Sequence, residues 1–181
     1  MQFFNYITTI FILLFVMINT NAQTKLSGRV YDYAPEMDLK TAKLITDDND
    51  SNGIFLFLND SVLIKIDYRN DTLYTKAAYH IRKGVYEQLS NGNRRWAAEV
   101  IDIEMDKNTV KETTGNNIEK INTDTVLHIS MQYSTTLNDR PYYFSEEGHG
   151  NYLYMVPSRR KLNAVLKELK AKGILNLLGV K

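Results

Sequence analysis

Residues 73–82, LYTKAAYHIR, change character at every second position: Leu73, Ala77, Tyr79 and Ile81 fall on one face, and Lys76, His80 and Arg82 on the other. An extended chain points successive side chains to opposite sides of a sheet, so this spacing predicts a strand with one buried face. The pattern recurs downstream. In residues 101–106, Ile101, Ile103 and Met105 oppose Asp102, Glu104 and Asp106. In residues 125–133, Leu127, Ile129, Met131 and Tyr133 oppose His128, Ser130 and Gln132. Residues 54–58 are apolar throughout and predict a strand covered on both faces, either central or roofed by a helix.

Between these segments lie clusters of Asn, Asp and Gly. Asn91-Gly92 is the strongest hairpin signal, since a type I′ turn needs positive φ at both central positions. Asp106-Lys107-Asn108, Thr114-Gly115-Asn116 and Asn122-Thr123-Asp124 suggest further reversals. Connections so short join antiparallel partners and leave no room for a crossover helix. The expectation is an all-β chain: an antiparallel meander of roughly nine to eleven strands, closed as a barrel or folded as a two-layer sandwich.

After Pro157 the period changes. Leu162, Val165, Leu166 and Leu169 follow helical spacing, Ser158 is placed to cap and Gly173 to stop, which predicts one C-terminal amphipathic helix over about residues 159–172. Arg159, Arg160 and Lys161 would occupy its first turn, where the helix dipole disfavours cations, so a carboxylate of the β body is expected to hold them. The apolar tail Ile174, Leu175, Leu177 and Leu178 should pack back on the domain. In strand pattern, length and trailing helix this outline resembles the lipocalin-type barrels. The early strand has Gly28-Arg29-Val30 where that family has Gly-x-Trp, so the resemblance is architectural and carries over no site.

Residues 10–18 are continuously apolar, and Thr20 and Ala22 are small residues preceding Gln23. A run of this length suits a secretory signal and falls short of the roughly 20 residues a membrane-spanning helix needs. Residues 1–22 therefore read as a signal peptide and 23–181 as a single domain, secreted or periplasmic, with no transmembrane segment after cleavage. The chain has no Cys, which removes disulfides, thiolate metal sites and cysteine nucleophiles. Its formal net charge of +1 argues against nucleic acid as a partner. From Pro157 onward the charge is +6, leaving −5 for residues 1–156, which suits a basic helix docked on an acidic body.

Three constellations carry candidate chemistry. Asp48, Asp50, Asn52 and the Ile54 carbonyl sit at positions one, three, five and seven around Gly53, the start of a calcium loop, although the bidentate Glu at position twelve is replaced by Asn59. Calcium is thus the one cofactor indicated; a metal-free polar turn is the plainer reading. Asp102, Glu104 and Asp106 recur along one strand face at about 6.6 Å, within the range of paired glycosidase carboxylates, and Glu146-Glu147-Gly148-His149 offers a second polar tip. Finally, residues 141–146 and 151–156 read as a hairpin about Gly148 that pairs Phe144 with Tyr152 and Tyr142 with Tyr154, placing four aromatics on one face as a structural ladder or a contact surface. Asn59-Asp60-Ser61 and Asn70-Asp71-Thr72 fit a glycosylation pattern and equally make turns. No GxSxG, HExxH or phosphate loop is present. The leading expectation is an exported non-catalytic binding module for a small apolar or glycan ligand or a protein partner. The alternatives are a surface-acting inhibitor, immunity or envelope assembly protein, and a hydrolase using paired carboxylates.

Overall fold

The computed structural model describes residues 25–46, 52–68, 71–88, 92–113, 117–122, 126–148 and 151–180. Among them the chain forms strands β1 (Val30–Ala34), β2 (Glu36–Asp38), β3 (Lys43–Ile45), β4 (Gly53–Phe57), β5 (Val62–Asp67), β6 (Thr72–Gln88), β7 (Arg94–Glu112), β8 (Ile118–Asn122), β9 (His128–Thr135), β10 (Pro141–Gly148) and β11 (Asn151–Pro157). Helices α1 (Leu162–Ala171) and α2 (Ile174–Leu177) follow. Strands β1, β4, β5, β6, β7, β9, β10 and β11 each pair antiparallel with the next, and β11 pairs back with β1. The meander therefore closes as an eight-stranded barrel, not a sandwich. β2–β3 and β8 are insertions, β8 extending the far end of β7.

Alternation sorts the side chains as period two requires. Tyr31, Tyr33, Phe55, Phe57, Leu63, Ala77, Tyr79, Ile101, Ile103, Met105, Met131, Tyr143 and Met155 fill the lumen, with Leu26 among them. Eight strands enclose a space that side chains can fill, and here six of these fourteen are aromatic. Phe57 meets Tyr31 edge-on at 5.5 Å and Tyr79 at 4.9 Å, and Tyr143 stands 5.5 Å from Tyr133. The lower end, where β4 finishes, is closed by polar bonds: Tyr79 donates to the Asn59 carbonyl at 2.6 Å and Tyr143 to Glu99 at 2.5 Å.

The all-apolar β4 faces both ways, as expected: Phe55 and Phe57 turn inward, Ile54 and Leu56 outward under a helix. That outer patch, completed by Val30, Ile64, Ile66, Tyr74 and Val110, receives Leu169, Ile174 and Leu178 of the C-terminal segment. The helix is shorter than expected. It starts at Leu162 with Lys161 at the N-cap, while Ser158 instead accepts the Arg160 amide at 3.1 Å one turn earlier. Arg159, Arg160 and Lys161 thus precede the first turn instead of occupying it, and of the three Arg160 lies 3.9 Å from a carboxylate of the β body, Asp32. At the other end of the helix Lys172 lies 2.8 Å from Glu112, which also accepts the Tyr74 hydroxyl at 2.5 Å. Gly173, at φ 73°, ends α1 in the left-handed conformation that Gly adopts without a Cβ penalty.

Two expected features are corrected. Asp106-Lys107-Asn108 is not a reversal: β7 continues through it to Glu112, and the ladder with β6 shifts between Thr75 and Ala77. Asp106 accepts the Asn108 amide at 3.0 Å, so a turn-type hydrogen bond makes a bulge inside a 19-residue strand. In the β10–β11 hairpin Phe144 pairs with Tyr154 and Glu146 with Tyr152, two residues away from the expected register, because the hairpin closes beyond Gly148, which pairs with Asn151; a bulge lies between Glu146 and Gly148. A two-residue slip keeps each side chain on its face.

The candidate ligand cleft

The upper end of the barrel, where β1 and β5 finish, is less tightly closed. Strand β9 pairs with β7 over residues 128–132 and with β10 only from Gln132 onward, opposite Phe144. Strand β10 continues to Gly148 alongside β11. β9 and β10 thus part above the Gln132–Phe144 pair, and a cleft of about 890 Å³ opens there. Its apolar lining includes Tyr33, Met105, Ile129 and Leu153; Lys65, His128, Ser130, Gln132 and Glu146 supply polar groups.

Lys65 gets there by parity. It shares the inward face of β5 with Leu63 and Asp67, lies 3.1 Å from the Asp67 carboxylate and 5.0 Å from the centroid of Tyr33. Tyr33 in turn packs on Gly53, where a Cβ would stand 2.3 Å from its hydroxyl oxygen and 2.1 Å from the Ile66 carbonyl. Gln132, 7% exposed, leaves its Oε1 atom without a hydrogen-bond partner. A buried amide oxygen in that condition costs roughly 1–3 kcal/mol.

The outer lip is formed by the far half of the β6–β7 hairpin. Gly84 has φ 57°, and the Trp96 ring packs on it. Beyond this point Glu87 returns to Arg82 at 2.8 Å, the Arg95 guanidinium sits 4.8 Å over Phe144, and Glu87 and Gln88 join the cleft lining. Tyr86 and Trp96, in contact at 5.1 Å, remain 69% and 54% exposed.

The residues singled out in the sequence are placed as follows. Tyr142, Phe144, Tyr152 and Tyr154 do share the outer face of β10–β11, with Tyr142–Tyr154 and Tyr152–Tyr154 centroids 6.2 and 5.9 Å apart. Tyr142 and Phe144 are only 8% and 5% exposed, packed with Met37 and Leu44 of the β2–β3 hairpin; Tyr152 alone of the four lines the cleft. Asn52 also lines it and accepts the Tyr68 amide at 2.8 Å through its carbonyl, and Ile54 lies inside β4 between β1 and β5. Asp48 and Asp50 lie outside the described residues, as do the signal segment, Asn91 and His149. His80, on the outer wall, places Nε2 3.1 Å from Asp102.

Two members of the acidic row on β7, Asp102 and Asp106, are engaged structurally. Burial alone would raise the Asp102 carboxyl, but Arg82, the Ser130 hydroxyl at 2.6 Å and His80 outweigh it and hold the group below the ordinary aspartate value. The Asn108 amide does the same for Asp106. A general acid at neutral pH needs the opposite displacement, so these two aspartates are suited to ion pairing and turn formation.

Lys65 and the splayed strands were the features that sequence reasoning missed. A charged side chain at an inward position of the otherwise apolar Val62–Ile66 run was the available signal for Lys65. The chain matches no known family model, no curated protein and no solved structure.

Proposed function

We propose that this chain is an exported, non-catalytic binding module that takes an amphipathic ligand in the cleft between β9 and β10. The observation that carries the reading is the cleft itself. Its volume of about 890 Å³ falls within the range of roughly 300–1,000 Å³ common to ligand sites. Its lining is mixed: Tyr33, Met105, Ile129 and Leu153 give it an apolar floor, and ten of its seventeen lining residues are polar or charged, which suits an amphipathic ligand rather than a wholly apolar one. Export rests on the apolar run at residues 10–18 and the small residues Thr20 and Ala22.

Native mass spectrometry of the protein purified from the compartment it occupies tests the reading. The expected result is a bound mass that the wild type retains and that Ser130→Trp and Asn151→Trp, on opposite lips of the cleft, both lose. A ligand-free wild type, or a mass retained by both variants, overturns it.

A further inference from the structure

Resting on the reading of the cleft as a ligand site, we infer that its ligand is an extended peptide segment that adds as a strand along the free side of β9. Three observations converge on this class. First, residues 128–131 of β9 have a ladder partner on the β7 side and none on the β10 side among the described residues. Backbone N–H and C=O groups on such an edge are a template for another strand, and four residues of it extend about 13 Å at the usual strand rise. Second, the Gln132 Oε1 atom stands where that edge meets the last β9–β10 pair, buried and without a donor. An incoming N–H is the group it lacks. Third, the walls alternate in character. Ile129 and Met131 face the lumen with Tyr33, Met105 and Leu153, whereas His128, Ser130 and Gln132 face the outer lip near Glu87 and Gln88. A strand laid beside β9 would put every second side chain on the apolar floor and the others toward polar groups, so the preferred peptide alternates apolar and polar residues.

The other strong candidates are weaker. In the 460 Å³ hollow beside Arg29, Arg160 and Lys161, Arg160 is already turned to Asp32 and Tyr68. Nothing in the structure shows what would cover the exposed Tyr86–Trp96 pair.

The test uses the full chain and a phage-displayed library of random twelve-residue peptides, with enriched sequences resynthesised and their affinities measured by fluorescence anisotropy. Enriched peptides should alternate apolar and polar residues. N-methylation at alternate backbone nitrogens should weaken binding at least tenfold for one set of positions and less than threefold for the other, because only every second N–H of an added strand faces the edge. Bound peptide should slow amide exchange within residues 128–131. Gln132→Leu should fold with a raised melting midpoint, since it removes the orphan oxygen, and should weaken the peptide several-fold. Failure to enrich any peptide over the bare support overturns strand addition, as does affinity indifferent to which nitrogens are methylated. A retained mass that is not a peptide, lost by Ser130→Trp and Asn151→Trp, leaves the cleft reading standing and removes this one.

Discussion

At Gly53 the requirement for glycine comes from packing. The position looks, in sequence, like the sharp turn of a cation loop, but in the fold Gly53 opens β4 with its φ outside the left-handed region, and the Tyr33 ring occupies the space a side chain would take. A methyl group there would lie 2.1 Å from a backbone oxygen. Gly53→Ala is accordingly expected to destabilise the protein by about 1–3 kcal/mol, the cost typical of overpacking a tight site. Urea unfolding in chelator checks this, because a loss that persists without any divalent cation belongs to the Tyr33 contact. Gln132 predicts the opposite sign. Replacing it with Leu removes a buried, unpartnered oxygen and should stabilise the free protein by about 1 kcal/mol. A fall in the unfolding midpoint would mean that the amide is satisfied in solution.

The helix is held on the barrel by an apolar patch and, at its C-terminal end, by the Lys172–Glu112 ion pair. Burial favours the neutral form of Glu112, but Lys172 and the Tyr74 hydroxyl more than reverse this and hold its carboxyl below the ordinary value of 4.5. A carboxyl depressed in the fold contributes stability above its unfolded pKa and loses it as pH falls through the folded one. Glu112→Gln should therefore cost about 1–3 kcal/mol at neutral pH. The gap from wild type should shrink as pH drops below 4.5, which paired urea titrations at the two pH values would read directly. What was legible in the sequence at this scale was local. The faces of residues 73–82 and 125–133, the double-faced β4 and the existence of the helix all follow from period alone. The bulge at Asp106, the two-residue shift in β10–β11 and the parting of β9 from β10 were not legible. Each depends on which distant strand supplies a hydrogen-bond partner, and alternation is unchanged when a ladder slips by two or simply stops. The aromatic hairpin shows the consequence: its common face was readable, but its cover by Met37 and Leu44 came from a hairpin more than 90 residues away in the chain.

Barrel closure joins β1 to β11, and without disulfides the wall is held around its contents by strand pairing and by the packed rings of the lumen. Those rings make the whole molecule sensitive to alkali. Burial pushes the Tyr79 phenol up to about 12 from its ordinary 10.0 and likewise raises Tyr31 in the lumen; outside the wall, under the helix, burial with help from Glu112 raises Tyr74. Where the folded pKa of an acid is raised, the stability it contributes is complete below the unfolded value and drains away as pH climbs through the folded one. The window of loss therefore runs from about pH 10 to 12 and beyond. Among the 12 tyrosines, an absorbance titration should resolve a late-ionising group that includes Tyr31, Tyr74 and Tyr79. The late group should appear together with the loss of near-ultraviolet circular dichroism, because a lumen phenolate is incompatible with the packed barrel. Trp96, the single tryptophan, stands more than half exposed on the hairpin outside the wall, so its emission should shift little while the tyrosine signals collapse. Late ionisation completed with the dichroism intact would mean that water reaches the lumen of the folded barrel, and a large tryptophan shift at the same midpoint would mean that the hairpin is packed far more closely than Tyr86 and Trp96 indicate.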